Sequence, residues 1–544
     1  MKRAILAIIL LSSVIDAYSQ FIAIYGVPGK DIRFTAVASY DGGYLAAGTM
    51  DNGIVLVKFD EFGSVVTASA LSVGLPTTLQ PVKSMIVDSE GNVVLAGYRD
   101  NGDSELNKAF VVKMNFETET VLWKKLYEND GSNLFKIIEK PDGNYMACGN
   151  IRTPGDLHNL LVEIDRETGE WTFKDLSSHH PDSDSYYSLV EVDGKYFTCS
   201  RTQYYGGGSN KMRANITRFN GVGLMNYSKS YIVDTLGNAR FYGADITANN
   251  NRILMLANGD DNGSSVSRDL YMVNATPSGT AKWVRKVNLT DYTDDGIWLA
   301  AKPVGTTAFL VAGSLYNPED PNGYGHGGKM FAMLCSGVGS IIWANVYEME
   351  SDYYYYLGHS DMLVAEGTDM IMVGSRLDSI SGERQGMLMK ANILTGGTLP
   401  DDCSSPLSIS VSTGSNISQP IDMDPIVDIS GFSEPVTLLT PGVPLELLDS
   451  GCSDVMKQSQ EYIAEDQILL FPNPVKDELL VKLPDTRTEQ SSYQIYSTEG
   501  KQLLKGSYLN NGLLTVNLFD MPSRMYILVL EADTTLYTGS FIKE

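Results

Sequence analysis

The sequence lacks any apolar run long enough to cross a bilayer as a permanent helix, which takes about 20 residues. Its longest apolar stretch lies at the start, where Lys2 and Arg3 precede "AILAIILL" and "AYS" follows shortly after. A basic start, a short apolar region and small residues at its end are typical of a cleaved secretory signal. We therefore expect residues 1–19 to be a signal peptide and the exported chain not to span a membrane.

Basic residues are also scarce. There are 41 lysines and arginines against 66 aspartates and glutamates, which gives a net charge of −25. Nucleic acids and anionic membrane surfaces attract basic patches, so this balance argues against both as partners, and we predict no nucleic-acid ligand. An acidic surface keeps an exported protein soluble and does not identify what it binds.

Cysteine is rare, with five in the whole chain. No C-x-x-C or comparable ligand spacing occurs, so we predict no metal site and no cofactor. Cys148 and Cys199 lie in apolar, strand-like segments and are expected to be buried free thiols. Cys403 and Cys452 bracket a Ser/Pro/Asp-rich stretch. Because an exported protein tolerates disulfides, we predict that these two are joined.

Familiar catalytic motifs are missing as well. The sequence has no G-x-S-x-G, H-E-x-x-H or phosphate-binding loop. Its many acidic residues include no pair that is marked out for glycoside hydrolysis. These absences favour a non-enzymatic protein and leave an enzyme open as the alternative.

What the sequence does contain is a repeat. Segments such as "DGGYLAAGT", "SEGNVVLAGY" and "PDGNYMACGN" each combine a tight turn, an apolar strand and a small residue. The small residues recur at a drifting period close to 50, the length of a propeller blade. A second strand and a third, often aromatic, strand follow each of them. The chain is therefore predicted to be all-β, with a seven-bladed β-propeller over residues 20–399. The seven small residues are Gly48, Gly97, Gly149, Ser200, Asn258, Gly313 and Gly374.

The last repeat has no convincing outer strand, whereas "FIAIYG" at residues 21–26 has no repeat of its own. In its pattern, Phe21 falls where Trp123 and Trp343 sit in other outer strands, and Tyr25 falls where Tyr127 sits. An open ring would leave two exposed sheet edges. We therefore predict that the N-terminal strand completes the last blade and closes the ring.

Residues 400–466 are rich in Ser, Pro, Asp and Thr, with short alternating stretches such as "LSISVS". We interpret them as a β-rich connector. Residues 467–544 differ again: they contain Phe471-Pro472-Asn473-Pro474, a central "IYSTEGK" and the strand "MYILVLE", and they end near Lys543.

These three ordered motifs resemble the type A C-terminal sorting domain of the type IX secretion system. Arg524 departs from the pattern, since the family usually has Gly before the Tyr strand. The resemblance implies a small C-terminal β-sandwich, contact with the type IX machinery, and delivery outside the cell or to the outer cell surface. It says nothing about what the propeller does.

In a propeller, the long connections share one rim, called here the top face, and binding residues tend to lie on such loops. Exposed tyrosines suit stacking on sugars or protein partners. Arginines that follow the small repeat residues could clamp a carboxylate or sulfate, unless neighbouring aspartates pair with them. The predicted ligand-binding residues are Arg99, Arg152, Arg201, Arg376, Tyr186, Tyr187, Tyr204, Tyr205, Tyr353, Tyr354, His326 and His359.

Two functions remain at this point. One is an exported binding or adhesion protein that recognises a glycan or protein through its top-face loops. The alternative is a polysaccharide-active hydrolase or lyase with a central top-face pocket. Two carboxylates, or a Tyr–His pair beside an Arg, converging in a deep pocket would favour the enzyme, and a flat or plugged channel mouth would favour binding.

Overall fold

In the computed structural model, the N-terminal part of the chain is described over residues 20–71, 79–100, 102–127, 131–153, 156–178, 185–204, 211–232, 240–260, 269–289, 293–294, 299–316, 329–347, 357–365, 368–377 and 382–399. Short segments follow at 404–406, 409–413, 417–420, 424–425, 439–441 and 446–449. The C-terminal part is described at 469–471, 478–482, 491–497, 502–508, 513–519, 521–532 and 535–543. Contacts divide the chain into two compact units, residues 1–453 and 454–544.

The first unit is a ring of seven antiparallel sheets, which confirms the predicted seven-bladed propeller. The described helical structure is one 3-10 turn, Ser104–Leu106. The first strand is β1 (Phe21–Gly26). Blade 1 has β2 (Ile32–Tyr40), β3 (Gly43–Met50), β4 (Gly53–Phe59) and β5 (Val65–Leu71); blade 2 has β6 (Val82–Val87), β7 (Val93–Arg99), β8 (Lys108–Asn115) and β9 (Thr120–Leu126). Blade 3 has β10 (Asn133–Glu139), β11 (Tyr145–Thr153), β12 (Asp156–Ile164) and β13 (Trp171–Ser178); blade 4 has β14 (Ser185–Val192), β15 (Lys195–Tyr204), β16 (Lys211–Phe219) and β17 (Met225–Ile232).

Blade 5 has β18 (Arg240–Asn249), β19 (Arg252–Asp260), β20 (Asp269–Ala275) and β21 (Ala281–Leu289). In blade 6 the inner position is shared by β22 (Thr293–Asp294) and β23 (Ala300–Val304), followed by β24 (Ala308–Tyr316), β25 (Lys329–Ser336) and β26 (Ile341–Tyr347). Blade 7 has β27 (Leu357–Ala365), β28 (Asp369–Leu377) and β29 (Arg384–Asn392), with β1 as its fourth strand.

Tight turns join the two inner strands of several blades, as the sequence indicates. In blade 1, Tyr40 pairs with Gly43, so the loop between them has two residues. Those residues, Asp41 and Gly42, have φ of 44° and 72°. Positive φ at both positions is the hallmark of the type I′ turn, whose twist matches that of the flanking strands. Asp-Gly is therefore favoured here because glycine and aspartate tolerate this conformation better than most residues.

The apolar core lies in layers between neighbouring blades. One cluster, for example, packs Leu95 and Phe110 of blade 2 against Leu45 and Leu56 of blade 1. Similar clusters join blades 2 and 3, 3 and 4, 4 and 5, 5 and 6, and 6 and 7. Cys148, Cys199 and Cys335 are buried free thiols within these layers. Burial raises the pKa of each of the three thiols, so they behave as small apolar side chains.

The predicted ring closure is confirmed. Strand β1 pairs antiparallel with β29, with Phe21 opposite Lys390 and Tyr25 opposite Gly386. Ile22 and Ile24 join the apolar cluster between blades 6 and 7. Because side chains alternate along a strand, Tyr25 points the other way, where its ring lies 4.8 Å from that of Phe59 in blade 1.

Tyr25 also repeats a contact that other outer strands make. Its hydroxyl donates to the carbonyl of Gly63 in the next blade at 2.5 Å. Tyr127 of blade 2 donates to Gly169 of blade 3 at 2.8 Å in the same way. Equivalent bonds join Tyr231 to Gly279 and Tyr347 to Gly397. The sequence alignment of Tyr25 with Tyr127 therefore reflects the same contact between blades.

The described segments of the predicted connector add strands to the propeller itself. Each of six short strands pairs antiparallel with the outer strand of one blade. We call these six strands the belt. They are β30 (Ser404–Pro406) on blade 6, β31 (Ile409–Thr413) on blade 5, β32 (Ile417–Pro420) on blade 4, β33 (Asp424–Pro425) on blade 3, β34 (Leu439–Pro441) on blade 1 and β35 (Glu446–Asp449) on blade 7.

The second unit contains two antiparallel sheets. One has β36 (Leu469–Phe471), β37 (Glu478–Lys482) and β40 (Leu513–Asn517); the other has β38 (Ser491–Ser497), β39 (Gln502–Tyr508), β41 (Arg524–Ala532) and β42 (Thr535–Lys543). Leu479 and Val516 of the first sheet share one apolar cluster with Ile495 and Leu528 of the second. Two sheets around one core fit the predicted small β-sandwich.

Removing the closing strand should destabilise the whole ring. Phe21 is only 3% exposed, so Phe21→Ala should lower the free energy of unfolding by about 3–5 kcal/mol. Ile342→Ala is the matched control: Ile342 lies on the outer strand of blade 6 but is 59% exposed, so the effect should stay within about 0.5 kcal/mol. Denaturant unfolding of the mature protein measures both. Deleting residues 20–26 should also cause self-association through the uncovered edge of β29, and an unchanged, monomeric deletion variant would contradict this account of closure.

The predicted disulfide between Cys403 and Cys452 lies outside the described residues and remains a prediction. The belt supplies a reason for it, because β30 and β35 lie on the neighbouring blades 6 and 7, and these cysteines flank the two strands. We expect peptide mapping of the unreduced protein by mass spectrometry to find the pair joined. Replacing both cysteines with serine should then cost up to about 4 kcal/mol in the chain-entropy model. Ready alkylation of both thiols in the native, air-oxidised protein would show that the bond is absent.

Candidate functional site

The innermost strands carry a β-bulge near their starts. In blade 1 the register of β2 against β3 shifts between Phe34 and Ala36, which leaves Thr35 as the extra residue. A bulge bends its strand and re-aims a side chain, and bulges are common next to functional sites. The corresponding extra residues in blades 2, 3, 4, 5 and 7 are Lys83, Phe135, Tyr187, Ala244 and Ser360.

The small repeat residues face these bulges. A Cβ atom on Gly48 would lie 1.7 Å from the carbonyl oxygen of Arg33, and one on Gly149 would lie 1.9 Å from that of Asn133. A Cβ atom on Gly97 would lie 2.2 Å from the carbonyl oxygen of Pro81. In these three blades only glycine allows this approach of two backbones. The glycine of the sequence repeat in blades 1, 2 and 3 therefore reflects the bulged inner strand that faces it.

A cavity of about 320 Å³ lies at the centre of the ring, at the level of the bulges. The inner strands of most blades begin shortly before this level, so the cavity lies towards the face that carries the links between blades. Its volume is at the lower end of the range for small-ligand pockets. The lining residues are Thr35, Lys83, Tyr98, Phe135, Lys136, Tyr187, Ser188, Ala244, Asp245, Leu299, Ala300 and Asp361.

One side of the cavity is aromatic. The rings of Phe135 and Tyr187 are stacked, with centroids 5.6 Å apart and planes at 25°. Tyr98 meets Phe135 edge-on at 6.5 Å. Cations lie over both ends of this row, with Lys83 Nζ 5.6 Å from the centre of the Tyr98 ring and the Arg201 guanidinium 6.0 Å from that of Tyr187. All three rings are half-buried, so part of each faces the cavity.

The other side carries two carboxylates that backbone amides hold in place. Asp361 of blade 7 accepts a hydrogen bond from the Val37 amide of blade 1 at 3.2 Å. Asp245 of blade 5 accepts one from the Ala301 amide of blade 6 at 2.7 Å. Each carboxylate thus ties its inner strand to that of the next blade. In blade 2, Ser84 Oγ accepts a hydrogen bond from the Ile137 amide of blade 3 at 3.2 Å.

Lysines complete the charged part of the cavity. Burial lowers the pKa of Lys136, but the carboxylates of Asp361 and Asp245 outweigh burial and raise it above the usual value. Lys302 lies 3.9 Å from Asp361 and beside Lys136; burial and the neighbouring ammonium lower its pKa. Burial, reinforced by Arg33, lowers the pKa of Lys83 to about 8. Lysine ammonium groups that donate hydrogen bonds and aspartate carboxylates that accept them therefore meet at the central cavity.

The four predicted arginines lie at or near the C-terminal ends of the second strands of their blades, as expected. Their surroundings differ from one another. Arg376 is buried and donates to Gln385 Oε1 from Nε at 3.0 Å and from Nη2 at 2.8 Å. Arg152 packs against Gly131, whose carbonyl accepts its amide at 3.1 Å. Arg99 is half-buried, opposite Lys108. Of the four, Arg201 meets an aromatic residue of the cavity.

The predicted aromatic and histidine residues separate clearly. Tyr187 lines the cavity, whereas Tyr186 is fully buried and donates to Asp175 Oδ2 at 2.9 Å, which gives it a packing role between blades 3 and 4. The remaining predicted residues lie outside the described residues or, for the strand residues Tyr204 and His359, have side chains that the structure does not describe. Those outside are Tyr205, Tyr353, Tyr354 and His326.

The chain is thus an all-β propeller followed by a two-sheet C-terminal unit. Residues 469–544 match the family model described as "Secretion system C-terminal sorting domain". The C-terminal unit is a type IX sorting domain, and the protein is exported, either secreted or attached to the cell surface. In the described part of the chain, no helix has the length and apolar character to cross a membrane.

Comparisons of the whole chain find only distant likenesses. No curated protein shows significant sequence similarity. Similar solved structures include one titled as a new family of polysaccharide lyase, PL25-ulvan lyase (10% identity, covering 68% of this chain and 94% of that chain, TM-score 0.42), and the polysaccharide lyase Uly1 (10%, 66% and 90%, 0.38). Another is an α-L-arabinanase of Penicillium chrysogenum, with 10% identity, coverage of 57% of this chain and 92% of that chain, and a TM-score of 0.37. At these scores the likenesses carry no argument about activity or ligand.

Proposed function

We propose that this protein is an exported glycan-binding propeller that holds the end of a saccharide chain in its central cavity. The observation that carries the proposal is the pairing of a stacked aromatic wall, Phe135 with Tyr187, with carboxylates and lysines across one cavity. A sugar ring offers an apolar face for stacking and hydroxyl groups that both donate and accept hydrogen bonds.

The shape of the site supports a chain end rather than a flat protein surface. The cavity is small, and most of the described residues that line it lie on the inner strands of the blades. Protein partners generally need a broad surface of about 800 Å² on each side. A recessed cavity of about 320 Å³ instead suits one sugar unit, with the rest of the chain leaving through the opening.

Binding should depend on Phe135 and Lys83. A glycan array of neutral, uronate-containing and sulfated oligosaccharides identifies the probe, and calorimetry with the best binder gives its affinity. Phe135→Leu should weaken binding several-fold, since aromatic stacking contributes about 0.5–1.5 kcal/mol. Lys83→Met should weaken it about 10- to 100-fold if the ammonium donates to the ligand.

Because the pKa of Lys83 is about 8, the wild-type affinity should hold below pH 8 and fall as the pH rises to 9 or 10.

The control for this experiment is Lys58→Met. Lys58 pairs with Asp41 in the tight turn of blade 1, at the opposite end of the blade from the bulge. The affinity of the Lys58→Met variant for the oligosaccharide, and the pH dependence of that affinity, should match those of the wild type. Binding that Phe135→Leu, Lys83→Met and the pH change all leave unaffected would place the ligand elsewhere and contradict the proposal.

A polysaccharide-active enzyme is the second candidate, because Asp245 and Asp361 both line the cavity, which is the arrangement that favours an enzyme by the criterion drawn from the sequence. Against it, each carboxylate already accepts a backbone hydrogen bond from the neighbouring blade. Asp361→Asn separates the two functions, since an asparagine oxygen can still accept the Val37 amide while the acid–base group is lost. We expect the wild type to release no new reducing or unsaturated ends from the bound oligosaccharide. Turnover that Asp361→Asn abolishes, with binding retained, would establish the enzyme instead.

A further inference from the structure

The residues that directly follow the bulges form a second set of side chains, one position further along the inner strands. We call this set the inner ring. Three of its members, Ser84, Asp245 and Asp361, accept a backbone amide of the next blade. The polar members that remain are Lys136 in blade 3 and Ser188 in blade 4. In blades 1, 2, 3, 4, 5 and 7 the inner ring consists of Ala36, Ser84, Lys136, Ser188, Asp245 and Asp361.

Ser188 carries a buried hydroxyl group at the cavity wall. The residue lines the central cavity and is only 2% exposed. Among the residues that the structure describes, Ser188 Oγ has no hydrogen-bond partner. A buried hydroxyl that lacks a partner destabilises the protein, so it calls for an explanation. Because this hydroxyl lies at the wall of a cavity, a bound ligand can supply the partner.

Lys136 adds a positively charged donor beside it. Burial opposes the charge of this side chain, but the carboxylates of Asp361 and Asp245 outweigh burial and hold its pKa above the usual value. Lys136 is therefore an ammonium group at neutral pH, and an ammonium group can only donate hydrogen bonds. An ammonium and a hydroxyl side by side suit a ligand oxygen that carries negative charge, because charge-assisted hydrogen bonds are the stronger ones.

The two donors stand next to the aromatic wall. Lys136 directly follows Phe135 in the sequence, and Ser188 directly follows Tyr187, whose ring is stacked on that of Phe135. One residue of a strand advances about 3.3 Å. A sugar ring held against the aromatic wall therefore has its substituents within reach of both donors.

The local charge also differs from that of the whole chain. Acidic residues outnumber basic ones by 66 to 41 overall. At the cavity, Lys83, Lys136 and the adjacent Lys302 stand against Asp245 and Asp361, so the balance is reversed. Each of these aspartates also accepts a backbone amide, which offsets part of its charge. A recessed positive site in an acidic protein favours an anionic group over a neutral one.

We propose that the cavity takes an acidic sugar unit, whose carboxylate or sulfate group accepts hydrogen bonds from Lys136 and Ser188 while the sugar ring stacks on Phe135 and Tyr187. This inference rests on the proposed glycan-binding function and adds to it the class of sugar. Uronates and sulfated sugars share the anionic oxygens that such donors bind, and the experiment separates the two.

Four oligosaccharide probes test the inference by calorimetry on the mature full-length protein. They are a chain that ends in a hexuronate, the same chain after reduction of its carboxyl group, a sulfated chain, and its desulfated form. At least one acidic probe should bind about tenfold or more tightly than its neutral counterpart. The pair that shows this difference identifies the anionic group as carboxylate or sulfate.

Two variants then place the anion. Ser188→Ala removes a hydroxyl that has no partner among the described residues, so the fold should be kept, and binding of the acidic probe should weaken about tenfold. Lys136→Met should weaken it by at least about tenfold. Binding of the neutral counterpart should change less than about twofold in both variants, because neither lost donor then faces a charge.

The matched control is Thr198→Val. Thr198 lies on β15 of the same blade and is fully buried, and its hydroxyl likewise has no partner among the described residues, but it is not one of those that line the cavity. The affinity of Thr198→Val for the acidic probe should equal that of the wild type.

The failure of this inference is distinguishable from the failure of the proposed function. Equal affinity for the acidic and neutral probes, with Phe135→Leu still weakening both, would keep the glycan site and contradict the acidic class. An acidic preference that survives both Ser188→Ala and Lys136→Met would place the anion elsewhere and also overturn the inference. If none of the four probes binds, the proposed function and the inference are both wrong.

Discussion

The outward-facing backbone N–H and C=O groups along the outer strand of a blade have no partner within that blade, and a bare row of them invites pairing with other chains. This protein meets that constraint twice. Strand β1 covers the edge that β29 would otherwise expose, and β35 of the belt then covers β1 from the other side. The strand that closes the ring, β1, is thus held between β29 and β35, and both of these strands lie far from β1 in the sequence. For an exported protein, this arrangement limits edge-to-edge aggregation.

The same geometry explains why a site forms at the axis. Seven blades converge there, and bulges near the starts of the inner strands turn residues such as Lys83 and Phe135 towards the centre. The bulges bring backbones so close together that glycine stands opposite in blades 1, 2 and 3. The residues that make the repeat recognisable and those that line the cavity therefore depend on one another.

The architecture was predictable from the sequence because it rests on local signals. Turn residues, apolar strands and a period near 50 identify the blades, and the spare pattern around Phe21 and Tyr25 identifies the closing strand. The belt was only partly predictable: alternation marked residues 400–466 as β-rich, but no local pattern tells which edge a short strand will meet. Pairing of that kind is set by the twist of the outer strands, which is a property of the assembled ring.

The cavity was the least predictable feature for a related reason. Ligand-binding residues are expected from the sequence in loops and after the small repeat residues, and of the residues at those positions Tyr187 lines the cavity and Arg201 lies over its ring. Lys83, Lys136, Asp245 and Asp361 lie instead on inner strands, where a single charged residue in an apolar segment resembles a solvent-facing position. Aligning the repeats at the bulge, rather than at the small residue, places Lys136, Asp245 and Asp361 in one column, directly after the column that contains Lys83.

The bonds that hold the cavity walls bear directly on how it could bind. Asp361, Asp245 and Ser84 each accept an amide of the next blade, so the inner strands of neighbouring blades are fixed relative to one another before any ligand arrives. Binding then costs little ordering of the protein, and a modest number of contacts can give useful affinity. The same bonds leave each carboxylate with fewer free lone pairs for proton transfer. Engagement of the acids is thus the feature that supports the proposed recognition over catalysis at the axis of this propeller.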